Sequence, residues 1–175
     1  DVVLCSQVLE HCDDPAQAVR ELHRRRRDRG ARRIILGLGG SATNDGGFGM
    51  FMALGGMAKD ASGKPVSVMN EDIGKIDELL TDSLRMLDGV EMTIASDVTN
   101  PLFGEYGAIT VFGPQKGVKP EQLSQFEDLL VHLHHKAMDI FKEDHSSTPG
   151  AGAAGVGCAG ACVGCASPPP RSRRR

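Results

Sequence analysis

ILGLGGSATNDGG, running from Ile35 to Gly47, decides how the rest of the chain is read. With Arg33 and Ile34 ahead of it, the stretch opens as a continuous apolar run, the pattern of a strand buried on both faces of a parallel sheet. The glycines that follow let the backbone turn sharply and let a ligand approach it closely. No lysine stands among them, although phosphate-binding glycine loops commonly carry one. The polar insertion Thr43-Asn44-Asp45-Gly46-Gly47 then separates the strand from a helix that begins near Phe48 and gathers Met50, Phe51 and Leu54 on its apolar face.

Gly37, Gly39 and Ala42 also fit a G-x-G-x-x-A dinucleotide fingerprint, with Asp60 near the place of a ribose-binding acid. The polar insertion argues against that reading, because such a glycine turn should run straight into an apolar helix.

A length of 175 residues suits one ordinary domain or part of a larger enzyme. The net charge of −3 conceals a partition, since eight of the 13 arginines lie within Arg20–Arg33 and four within Arg171–Arg175. Residues 34–155 hold 17 acidic and eight basic side chains, so the middle reads as an acidic domain between ends of different origin. No aromatic residues accompany the run Arg24 to Arg27 to stack on bases, and a junction between coding segments is expected there rather than a nucleic-acid surface. No apolar run reaches the length of about 18 residues that a membrane span needs. The chain begins at Asp1 and not at methionine, which reads as a start other than the natural one. Its five cysteines are confined to the ends, and a reducing cytoplasm is the expected location.

Further along, Met92 and Ile94 belong to a strand with Asp97 at its C-terminal end, where open α/β sheets handle ligands. Asp97 and Asn100 read either as site residues or as formers of the turn before Pro101. Gly107 to Gly117, GAITVFGPQKG, reads as another strand ending in a loop whose Lys116 either reaches a phosphate or is solvated. Pro120 to Glu143 carries apolar residues at three- and four-residue steps, the pattern of a helix packed against a sheet. On it His132 and His135 share one face, to be read as a metal pair or as surface histidines. Pro149 to Gly155 is either a set of backbone N–H groups for an anion or a flexible linker.

Taken together, IILGLGGSATNDGGFGM, ASDVTNPLFGEYGAITVFGPQKG and PGAGAAG closely resemble the bacterial glycerate kinase family over about residues 33–157. The resemblance implies an α/β fold, a Rossmann-like parallel sheet with flanking helices, here a fragment of a two-domain enzyme with its site in the interdomain cleft. It implies ATP and Mg²⁺ as cofactor and cation, D-glycerate as substrate and transfer of the γ-phosphoryl group to a glycerate hydroxyl. By motif position, Asp97 is the expected catalytic carboxylate and Asp45 the second, through Mg²⁺. Gly39, Gly40, Ser41, Thr43, Asn44, Gly46, Gly47, Asn100, Lys116, Gly150 and Gly152 are the expected substrate and phosphate contacts.

The ends depart from that family. Residues 1–24, DVVLCSQVLEH followed by DDP and a helix, resemble the fourth strand and helix of class I S-adenosylmethionine-dependent methyltransferases. That resemblance puts Ser6, Gln7 and Glu10 near the cofactor, but the family's glycine loop and ribose acid are absent and no binding is expected. Residues 25–33 then form the Arg-rich junction, 34–157 a partial glycerate kinase domain, and 158–175 a tail read as out of frame. Cys158, Cys162 and Cys165 have the spacing of radical S-adenosylmethionine enzymes, yet only ten residues follow them and no iron–sulfur cluster is expected. Three readings compete: a glycerate kinase fragment that turns over poorly alone, a methyltransferase-type binder, and a non-catalytic chimeric product.

Overall fold

A computed structural model describes residues 2–6, 24, 33–38, 43–67, 70–82, 84 and 91–153. Residues 7–23, 25–32 and 154–175, which hold most of the helix expected after Pro15, most of the Arg-rich segment and the cysteine-bearing tail, lie outside them. Three strands, β1 (Val2–Ser6), β2 (Arg33–Gly37) and β5 (Glu91–Ala95), form a parallel sheet in the order β1-β2-β5. β2 is central, with Val2 opposite Arg33 on one side and Glu91 opposite Arg33 on the other. Leu36 is buried and Ile35 half-buried, while Arg33 at the entry pairs with Glu91 across 2.9 Å at the exposed edge. Both the apolar run and its basic lead-in therefore take the places their chemistry favours.

After the glycine loop comes helix α1 (Phe48–Ala53), starting where the apolar face predicts. Its Phe48 and Phe51 stack with centroids 6.2 Å apart and are buried together with Leu54. Next is a short antiparallel hairpin of β3 (Met57–Lys59) and β4 (Glu78–Leu80). In it Ala58 and Leu79 oppose each other inside, while Met57 and Glu78 face out, the two-residue period of a half-buried strand.

One expectation changes. The run Ala108 to Phe112, AITVF, is helix α2 and not a strand. Successive residues Ala108 and Ile109 are both buried whereas Thr110 and Val111 are exposed, a distribution no alternating strand can give. The β-branched composition misleads because β-propensity measures fit to a pleated surface, and here the surface on offer is a helix. That helix is α3 (Leu123–Phe141), preceded by a 3-10 turn over Pro120–Gln122. Leu130, Leu133, His134 and Ala137 form its buried stripe. α3 rests on α2, on β4 and on the 3-10 segment Asn70–Lys75, so the sheet it meets is the small hairpin, which is separate from the parallel sheet. Phe48, Phe51, Ile73, Ile76, Leu79, Leu102, Ile109, Leu130 and Leu133 close this core.

Candidate active site

β2 and β5 end in register, with Gly37 opposite Ala95, and the N–H of Leu38 donates to Ala95 O across 3.2 Å. Two loops thus leave the same edge of the sheet side by side, beyond the carboxyl ends of adjacent parallel strands, where open α/β sheets form a crevice.

Gly39, Gly40 and Ser41 of the first loop lie outside the described residues. From Thr43 onward the loop is built around Asp45, which is only 8% exposed. Its Oδ1 accepts the N–H of Gly47 at 3.0 Å and its Oδ2 that of Gly49 at 2.8 Å, while its carbonyl accepts the N–H of Phe48. The carboxylate therefore caps the start of α1, satisfying donors that the helix itself leaves open. Gly46 and Gly47 adopt φ of 64° and 80°, the left-handed region that a side chain disfavours. This explains the insertion: the turn that delivers Asp45 to the helix start needs two consecutive left-handed residues.

Lys116 reaches this loop from the 3-10 turn after α2, its Nζ donating to Thr43 O at 2.7 Å. Two candidate residues from separate motifs thus share one spot, with Asn44 half-buried next to them.

In the second loop the Ser96 hydroxyl donates to Val98 O and accepts the N–H of Val98, closing a local turn. Asp97, at the tip of that turn, is exposed and makes no hydrogen bond with any described residue. Asn100 donates through Nδ2 to Tyr106 O at 2.9 Å and accepts the N–H of Gly152 on its carbonyl, also at 2.9 Å. A Cβ on Gly152 would stand 2.3 Å from Pro101 O, and one on Gly150 3.2 Å from Val98 O. Up to Ala153, then, the glycine-alanine segment is docked on the second loop and is no free linker. Asp97, Asn100, Gly150 and Gly152 form one group, and Thr43, Asn44, Asp45, Gly46, Gly47 and Lys116 the other.

Two weaker candidates are explained otherwise. Asp60 follows β3, and its Oδ1 accepts from the N–H and hydroxyl of Ser62 and from the N–H of Lys64; the Ser62 hydroxyl bond leads in holding its carboxyl below the usual range. It shapes a hairpin turn, as Asp commonly does. His132 donates from Nε2 to Ile76 O at 2.7 Å, and among the described residues no group of three or more His, Cys, Asp or Glu side chains is placed to hold a metal ion. His134, between His132 and His135 on the helix, is buried at 3% exposure, with Nε2 3.2 Å from Asp144 Oδ1. Its place at the i+4 step from Leu130 was the signal that could have found it. Ser96 was also missed; a hydroxyl at the end of a strand before Asp is the recognisable turn signal.

The sequence profile of the Glycerate kinase family matches residues 14–169. A glycerate kinase of Haemophilus influenzae is 42% identical over 129 residues, which cover 73% of this chain and 34% of that protein. The glycerate 2-kinase of Escherichia coli K12 is 41% identical over 128 residues, with 72% and 33% covered. A crystal structure assigned as glycerate kinase 2 from Salmonella typhimurium LT2 superposes with a TM-score of 0.79 at 34% identity, covering 95% of this chain and 48% of that one. The chain spans about a third of the length of the curated relatives it matches.

Proposed function

This chain belongs to the glycerate kinase family, and we propose that it serves transfer of the ATP γ-phosphoryl group to a hydroxyl of D-glycerate, yielding phosphoglycerate. The observation that supports this best is the junction of its motifs: Lys116 donates to the glycine loop at Thr43 O, and Gly152 docks on Asn100 beside Asp97. Phosphoryl transfer requires little covalent chemistry, mainly alignment and neutralisation of charge.

In this reading, backbone N–H groups of the loop from Gly39 to Gly47 and of Gly150 to Gly152 meet phosphate or carboxylate oxygens, and Ser41, Thr43 and Asn44 add neutral hydrogen bonds. Lys116 brings a positive charge to the glycine loop, where it can neutralise a phosphate. Asp97, with oxygens uncommitted to any described residue, orients or deprotonates the glycerate hydroxyl. If Asp97→Ala left phosphoryl transfer unchanged, that role would fail. Bound Mg²⁺ would neutralise phosphate charge, and it needs only one or two protein carboxylates because it keeps waters and phosphate oxygens as partners. Asp97 and Asp45 suit that demand unequally, since both oxygens of Asp45 already accept backbone N–H groups and a cation would have to share them.

The substrates are small molecules, the setting is cytoplasmic, and no nucleic-acid partner enters. No helix among the described residues is long and apolar enough to cross a membrane. We divide the chain at residues 1–24, 25–33, 34–157 and 158–175, with the kinase motifs in the third part. The relatives above lend no support to a methyltransferase reading of residues 1–24. Thermal unfolding separates the readings without needing turnover: ATP with D-glycerate and Mg²⁺ should raise the midpoint and S-adenosylmethionine should not. A rise with S-adenosylmethionine alone would overturn the kinase reading.

A further inference from the structure

His134 sits in the buried stripe of α3, outside both groups of candidate site residues, and yet it is imperfectly satisfied. Its ring is edge-on to Phe103 with centroids 5.2 Å apart, and its Nδ1 is buried without a partner. Since a carboxylate can only accept, the 3.2 Å contact with Asp144 Oδ1 makes Nε2 the N–H and leaves Nδ1 the bare acceptor. An apolar residue would spare the chain this unpaired atom, so the histidine must supply something through Nε2.

What it supplies is visible in the hydrogen bonds that leave Asp144. The same Oδ1 accepts the N–H of Ser146 at 2.9 Å, and Ser146 O accepts the N–H of Leu102 at 2.8 Å. Leu102 is fully buried and ends the segment that carries Asp97 and Asn100. The adjoining His145 O accepts the N–H of Thr148, whose carbonyl accepts that of Ala151. One turn, residues 144–148, therefore anchors both walls of the second site group, and Gly152 to Asn100 closes the circuit. The turn is brought back to the helix by Lys142, whose φ of 60° is the single left-handed non-glycine conformation among the described residues.

We propose that His134 is a positioning residue: as a neutral Nε2–H donor it pins Asp144, and through the 144–148 turn it holds the Asp97–Leu102 loop in register with the Gly150–Gly152 loop. The charged and titratable groups around it are Asp144 on the turn, His135 on its own helix and His145, which is paired with Glu143 at 3.0 Å. Its consequence for phosphoryl transfer rests on the kinase reading above, but the positioning itself does not.

Hydrogen exchange read at single amides tests the idea. His134→Phe keeps a ring against Phe103 and removes the donor; the amides of Leu102 and Gly152 should then exchange about tenfold faster or more, as loss of roughly 1.4 kcal/mol of local hydrogen bonding implies. Amides in the middle of α3 should change little. His134→Gln, which can present an N–H near the former Nε2, should restore most of the protection. Should His134→Phe fail to fold, Asp144→Ala cuts the same link at an exposed residue and should produce the same selective loss. Protection at Leu102 and Gly152 that stays equal to the parent in Asp144→Ala, or that falls only in step with α3, overturns the proposal. Loss of loop protection combined with no stabilisation of the parent by ATP would instead overturn the kinase reading and leave the positioning role supported.

Discussion

Lys116 Nζ donates to Thr43 O across 2.7 Å although 73 residues separate the two in sequence. The glycine loop after β2 thus has a cation of its own, delivered from another motif. ILGLGGSATNDGG carries no lysine of its own, and the ammonium beside it comes from a distant stretch of the chain.

Lys116→Met keeps the aliphatic stem and removes the ammonium. Loss of a charge-assisted hydrogen bond and a phosphate partner is expected to weaken ATP binding by roughly tenfold or more. Calorimetric titration of the variant measures this; an unchanged affinity would leave Lys116 as a tether of the loop only.

Asp45→Ala removes the acceptor for two N–H groups, Gly47 and Gly49, at a buried helix start. The expected cost is about 2 kcal/mol or more of unfolding free energy, read from urea denaturation. Asp45→Asn should cost less, since its carbonyl oxygen can still accept one of the two. A loss of magnesium-dependent nucleotide binding in Asp45→Asn, out of proportion to its stability, would add support for the cation role.

Gly152→Ala places a methyl group 2.3 Å from Pro101 O, and a backbone oxygen cannot swing aside as a side-chain tip can. We expect about 1–3 kcal/mol of destabilisation, typical of overpacking, together with a smaller midpoint rise on adding ATP and D-glycerate. Equal stability and equal ligand response would show that the two loops are not held as described.

Burial lowers the His134 imidazole below its ordinary value of about 6.5, a shift that Asp144 opposes without reversing. The unfolded chain therefore binds more protons than the folded one between that lowered value and about 6.5. Stability should rise with pH across this window, and the contribution of His134 should become independent of pH below it. Asp144 is held below the usual carboxylate range, chiefly by Ser146, so its contribution is present above that range and is lost as pH falls through its folded value. Urea midpoints collected against pH for the parent and His134→Gln should differ in slope in the upper window and agree in the lower.

Much of the fold is legible in local pattern. The run Arg33 to Leu36, the turn residues before Phe48 and the spacing of Leu130, Leu133 and Ala137 each state a period, and each element formed where its period placed it. The hairpin β3-β4 was not legible, because three residues per strand are too few to display alternation. AITVF misled because its composition favours a pleated surface that the neighbouring helix does not offer.

The sequence by itself determined the motifs of the candidate site, since glycine, aspartate and asparagine at fixed steps declare turns through their own backbone preferences and short side chains. It also determined the family, through the order of those motifs. Only the tertiary structure decided that Lys116 meets Thr43, that Gly152 docks on Asn100, and that His134 lies inside and ties the turn at Asp144. These are contacts between segments far apart in the chain, and they depend on how β2 lies against β5 and α3 against α2. A local pattern reports which face of an element is apolar; it carries no record of which other element will cover that face.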